Sequence, residues 1–199
     1  IVNSIIFILI GLCLFHAKPF YLLYDEKYKS VVAGDEIYYS IQKSKTKNKS
    51  KKALFGDSVA RQLFDNKTTN DTINSLACNQ SIGMVGHYIL LNNYLEAGNE
   101  VDTVYFIFRP FSFQNNLDQV YTYHYFLKPF YNKEYCHYFT KTVTEQIAKI
   151  PYYKFCRYPS VLTSNWAPVF TPNDTIDYTF LSPVTVEYLK KIKKLSVKH

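Results

Sequence analysis

The sequence predicts an α/β fold: a parallel sheet in a three-layer α/β/α arrangement, preceded by a hydrophobic amino-terminal helix. Three observations predict it. Short apolar runs alternate with segments of helical period, the pattern of strands joined by crossover helices. The run Val101–Phe108 is almost continuously apolar, as expected for a central parallel strand covered on both faces. The run Ala53–Phe55 ends in Gly56-Asp57-Ser58, after which a helical pattern begins. Glycine permits the sharp turn, and the serine falls at the start of the helix.

The chain opens with an apolar stretch, Ile1–Phe15, interrupted only by Asn3 and Ser4. A bilayer span needs about 20 residues. Residues 1–24 are read as a membrane anchor or uncleaved signal helix, with Phe20, Tyr21 and Tyr24 where an aromatic belt would sit. A buried core helix or the apolar region of a cleaved signal are the alternatives. The chain starts with Ile1 and its only methionine is Met84, so the amino end is expected to be incomplete.

Residues 25–52 are read as a linker, with a possible helix over Val31–Gln42. Over Lys43–Lys52 lysine recurs at nearly every second position with small polar residues between. This run supplies much of the net charge of +7. It carries no aromatic residue to stack a base and no arginine to read one, so no nucleic-acid partner is expected.

Residues 53–199 are read as one domain, a size that suits the 199-residue chain. Val59–Phe64 starts a helix, and Asp65–Asp71 is a polar turn. Thr72–Cys78 is a second strand, and Ile82–Ala97 a helix ended by Gly98-Asn99. Phe111–Tyr138 is an aromatic loop, long enough to hold substrate contacts or to pack as a lid. Thr140–Lys149 is a helix, stopped before Pro151. Ser182-Pro183 opens a last helix running to about Leu195, with serine as cap and proline in the first turn.

The stretch Ala53-Leu54-Phe55-Gly56-Asp57-Ser58-Val59 resembles the first motif block of the SGNH (GDSL-type) hydrolases, whose sheet is flavodoxin-like. The resemblance spans about Lys52–Asn116, a third of the chain. It implies that Ser58 is the nucleophile, that its N–H helps form an oxyanion hole, and that Gly56 and Asp57 order the turn. The family's second marker, a glycine after the second strand, maps onto Gly83 or Gly86; spacing from Asn79 favours Gly83. The third, an asparagine normally within Gly-x-Asn-Asp, maps onto Asn115 with Asn116 in reserve. Here the block reads Arg109-Pro110-Phe111-Ser112-Phe113-Gln114-Asn115-Asn116 and lacks the glycine.

The family's base is a histidine in Asp-x-x-His, and no such tetrapeptide occurs. His16, His87, His124, His137 and His199 all lack the motif. The expectation is therefore a chain cut before its base, because a strand would normally follow the last helix. The resemblance implies a serine esterase or O-acyltransferase acting on esters or acylated carbohydrate. It implies no metal and no organic cofactor. A membrane-anchored, extracytoplasmic setting in the cell envelope fits the hydrophobic start. The alternative is a decayed cell-envelope accessory protein that binds carbohydrate on the same fold. Phosphate-loop, dinucleotide and Gly-x-Ser-x-Gly patterns are absent, and the four cysteines lack zinc-site spacing. Cys136 and Cys156 are read either as a disulfide or as two free thiols.

Overall fold

A computed structural model describes residues 2–16, 35–68, 70–78, 83–114, 116–117, 130, 132–149 and 180–198. In chain order the elements are helix α1 (Val2–His16), helix α2 (Asp35–Ser44), strand β1 (Lys52–Gly56) and helix α3 (Ser58–Leu63). Strand β2 (Asn74–Ser75), helix α4 (Met84–Glu96) and strand β3 (Thr103–Ile107) follow. Helices α5 (Lys141–Ala148) and α6 (Pro183–Lys198) complete the order.

The strands form a parallel sheet in the order β2-β1-β3. β1 is central, and Ala53, Leu54, Phe55 and Gly56 are all buried. Its side chains alternate between the two faces, as strand geometry demands. Ala53 and Phe55 join the main core with residues of α4 and α6, among them Met84, Ile89, Leu90, Val184 and Tyr188. Leu54 joins a smaller cluster with Ala60 of α3, Ile73, Ala77 and Ile107.

β3 is less covered than the expected strand buried on both faces: its residues are only partly buried, and Tyr105 is 38% exposed. Among the described residues it pairs with β1 alone. β2 is also shorter than expected. Its line nevertheless continues beside β1, with Leu76 N–H donating to Leu54 C=O (2.8 Å) and Cys78 N–H to Gly56 C=O (3.1 Å).

The helices obey their sequence signals. α4 is followed by Gly98 at a φ of 77°, the left-handed turn that glycine adopts without strain. Thr140 caps α5, and Ser182 Oγ accepts the Thr185 N–H at the start of α6. α6 buries Val184, Tyr188 and Ile192, one side of a helix at spacing four.

The stretch read as a linker is attached to this body wherever it is described. α2 buries Ile37, Ser40 and Ser44. In the lysine run Ser44 and Ser50 are buried and Asn48 is half-buried, while Thr46 is exposed. Asn48 N–H donates to Asn99 Oδ1 (2.6 Å), and the Ser50 hydroxyl lies 2.9 Å from the carbonyl oxygens of both Lys52 and Thr72. Lys45 and Lys51 pair at the surface with Glu134 and Glu100. Lys43 is half-buried and donates to the carbonyls of Asn66 (2.8 Å) and Ser75 (3.0 Å). Its burial lowers the ammonium pKa, and nearby Asp65 partly opposes this.

α1 is apolar and outward-facing, with Ile5, Ile6, Phe7, Ile8, Leu9, Ile10 and Leu12 exposed. Its fifteen residues give about 22 Å of helix, against a hydrocarbon core of about 30 Å. Among the described residues no helix is long and apolar enough to cross a membrane. Phe20, Tyr21 and Tyr24 lie outside the described residues.

An aromatic cluster joins α4, the approach to α5, and α6. Tyr88 packs edge-on against Tyr138 and Tyr188 at 5.7 and 5.5 Å between ring centres. Tyr188 donates to Tyr138 C=O (2.9 Å) and accepts the Thr140 N–H (3.2 Å). Burial pushes the Tyr188 phenol up to about 12, with the Thr140 bond opposing. Burial and then Glu96 raise Tyr138 further. An unfolded tyrosine titrates near 10. Above pH 10 the folded state thus holds protons that the unfolded state releases, and stability falls as pH rises. Denaturant midpoints should be flat up to about pH 10 and drop between 10 and 12, with a shallower drop in Tyr188→Phe. Equal slopes in the two proteins would remove Tyr188 from this linkage.

Candidate functional site at the carboxyl ends of β1 and β3

In a β2-β1-β3 sheet the chain leaves β1 to one side and returns on the other. The carboxyl ends of β1 and β3 therefore flank a topological switch point, where α/β folds leave a crevice. Pairing places Gly56 opposite Ile107, so Asp57 and Ser58 emerge beside Phe108 and Arg109.

Gly56 is confined by this arrangement. A Cβ at this position would overlap the carbonyl oxygen of Ile107 and the Cβ of Ala60. The turn from β1 into α3 thus requires a residue with no side chain.

Asp57 is 1% exposed and caps α3. Its Oδ1 accepts the Val59 N–H at 2.9 Å. Its Oδ2 crosses to the loop after β3, accepting the Arg109 N–H at 2.9 Å and the Ser112 hydroxyl at 2.6 Å. One carboxylate thereby joins the turns that follow two different strands. Ser58 is the first residue of α3 and half-buried. The helix ladder begins with Arg61 N–H donating to Asp57 C=O (3.0 Å), which leaves the Ser58 N–H outside it. The Ser58 hydroxyl has no hydrogen-bond partner among the described residues.

The two glycine candidates both lie at the amino end of α4. Gly83 is its cap, in an extended conformation (φ −95°, ψ 121°), and Gly86 sits within the first turn. Both are buried. A glycine cap has no side chain to accept an N–H, so the first amides of α4 receive no capping bond from it. Asn115 lies outside the described residues. Asn116 is turned toward α6, its Oδ1 3.4 Å from the Val184 N–H.

Neither His87 nor His137 is hydrogen-bonded to Ser58. His87 is buried, edge-on to Phe55 and Phe108 at 6.5 and 4.8 Å between ring centres. His137 is exposed beside Tyr138. His124 and His199 lie outside the described residues. Cys136 is an exposed free thiol, and Cys156 lies outside the described residues. Among the described residues no group of three or more His, Cys, Asp or Glu side chains could hold a metal ion.

Sequence reasoning missed Ser112. Its partner was visible: a carboxylate buried at a turn needs donors beyond its own cap. The register that brings the β3 loop to Asp57 was not. No family model, curated protein or solved structure matches this chain.

Gly56→Ala should destabilise the fold by about 3 kcal/mol, the upper part of the usual range for overpacking. Denaturant unfolding would measure it. A loss under about 0.5 kcal/mol, within the range of ordinary surface substitutions, would show that the turn relaxes without this close approach.

Proposed function

We propose that this chain carries a three-layer α/β/α domain of the SGNH hydrolase type, acting as a serine esterase or O-acyltransferase on ester or acyl-sugar groups. The observation that carries the reading is the Asp57 carboxylate. It holds the Ser58 turn against the β3 loop at the switch point of the sheet. A side chain packed into each face of β1, Leu54 with α3 and Phe55 with α4, supports the three layers.

In this reading Ser58 Oγ attacks the acyl carbonyl carbon and its proton passes to a base. The tetrahedral oxyanion is met by the Ser58 N–H, by the N–H of Gly83 or Gly86, and by the Asn115 side-chain amide. Collapse expels the alcohol, which takes the proton from the base. The Ser58 ester is then resolved by water or by a sugar hydroxyl. Each oxyanion donor contributes about 10²–10³ in rate. These steps need neither metal nor organic cofactor. In this reading the base is a histidine outside the described residues; neither His87 nor His137 is hydrogen-bonded to Ser58. The exposed apolar α1 supports attachment to a membrane, with the domain in the cell envelope.

Two features favour the second reading, a decayed accessory protein that binds carbohydrate. The third motif block lacks its glycine, and Asn116 is turned toward α6. The two readings part in one experiment. With the protein as its gene encodes it, Ser58→Ala should abolish turnover of a short-chain aryl ester and labelling by a fluorophosphonate. Equal turnover in the variant would take Ser58 out of the mechanism. Glycan binding without any labelling of wild type would select the accessory protein.

A further inference from the structure

We propose that Ser112 is a positioning residue for Ser58, acting through Asp57; this rests on the reading of Ser58 as nucleophile. Ser112 is 2% exposed, and its hydroxyl donates to Asp57 rather than to Ser58. Its place is set independently of Asp57. It lies in the short 3₁₀ turn Pro110–Gln114, and its own N–H closes that turn on Arg109 C=O at 2.8 Å. The next residue, Phe113, accepts the Ser182 N–H at 3.0 Å, which fastens the loop to the start of α6.

The hydroxyl thus comes from a loop held at its far side, and it reaches Asp57 at 2.6 Å across 55 residues of sequence. Of the two donors on Oδ2, the Arg109 N–H is backbone and would be present whatever the residue. Ser112 is the donor that the sequence chooses. Asp57 in turn fixes the Val59 N–H and so the first turn of α3, on which Ser58 stands. The Ser112–Asp57 bond therefore holds the turn that carries the nucleophile against the loop after β3. Misplacing reacting groups by about 1 Å can cost 10²-fold in rate.

The test is the rate constant for fluorophosphonate labelling of Ser58, read beside the fraction of molecules finally labelled. Measured on the protein as its gene encodes it, Ser112→Ala should slow labelling by about 10–100-fold and leave the final fraction unchanged. In ester turnover kcat should fall with KM within about twofold, the split expected when only transition-state alignment is lost. Ser112→Thr, which keeps the hydroxyl, should recover most of the rate. If Ser112→Ala does not fold, Ser112→Cys carries the same measurement with a weaker donor of similar size. An unchanged rate constant, or a smaller labelled fraction at an unchanged rate constant, would overturn the proposal and leave the hydrolase reading standing. A wild-type protein that is never labelled at Ser58 would overturn both.

Discussion

A carboxylate with almost no solvent contact has to find its hydrogen bonds inside the protein, and Asp57 finds them in two places at once. One oxygen serves the helix it caps; the other serves a loop more than 50 residues away. Removing an acid of this kind from water costs several kcal/mol, and each hydrogen bond to a charged group returns about 1.5–3 kcal/mol. Three such bonds roughly offset the burial. Little net stability remains, so the consequence of Asp57 is geometric: β1 and β3 must end level, with their following turns in contact. The missing Cβ of Gly56 belongs to the same constraint, because any side chain there would separate the turn from β3.

A second polar network holds the other end of the sheet by the same logic. Asn99 is nearly buried, and its amide donates to the carbonyls of Thr46 and Tyr94 while its oxygen accepts from Asn48. This fastens the lysine-rich segment to the end of α4. Lys45 and Lys51 remain outside, where their ion pairs with Glu134 and Glu100 contribute little. Lys43 instead reaches the carbonyls of Asn66 and Ser75. Ser44, Asn48 and Ser50 make the inward hydrogen bonds between them.

What the sequence disclosed follows from which forces are local. Helix caps, the left-handed Gly98 and the two-faced pattern of β1 depend on neighbours within a turn or so, and they were legible. The Gly56-Asp57-Ser58 turn was legible for the same reason. Lateral strand order is set by which crossover packs on which side, so the β2-β1-β3 order found among the described residues could not be read from Val101–Phe108. The Ser112–Asp57 bond depends on parallel register between strands far apart in sequence. Asn116, the reserve asparagine of the third block, turns its side-chain Oδ1 to the first turn of α6, a contact that also joins positions far apart in sequence.

Serine acyl chemistry has two halves, and this architecture bears on them unequally. Stabilising an oxyanion needs amides that no helix ladder consumes. Parallel strands deliver such amides to one edge where a helix begins as a strand ends, as α3 does directly after β1. Activating the hydroxyl needs a base within hydrogen-bond reach, and parallel strands do nothing to provide one. The first half is therefore a product of the fold, while the second must be placed by a separate piece of chain. A protein holding only the first half would still bind an acyl carbonyl or an anion, and would turn it over slowly. On this argument the hydrolase and accessory readings share Gly56, Asp57, Ser58 and Ser112, and what sets them furthest apart is whether a histidine reaches Ser58.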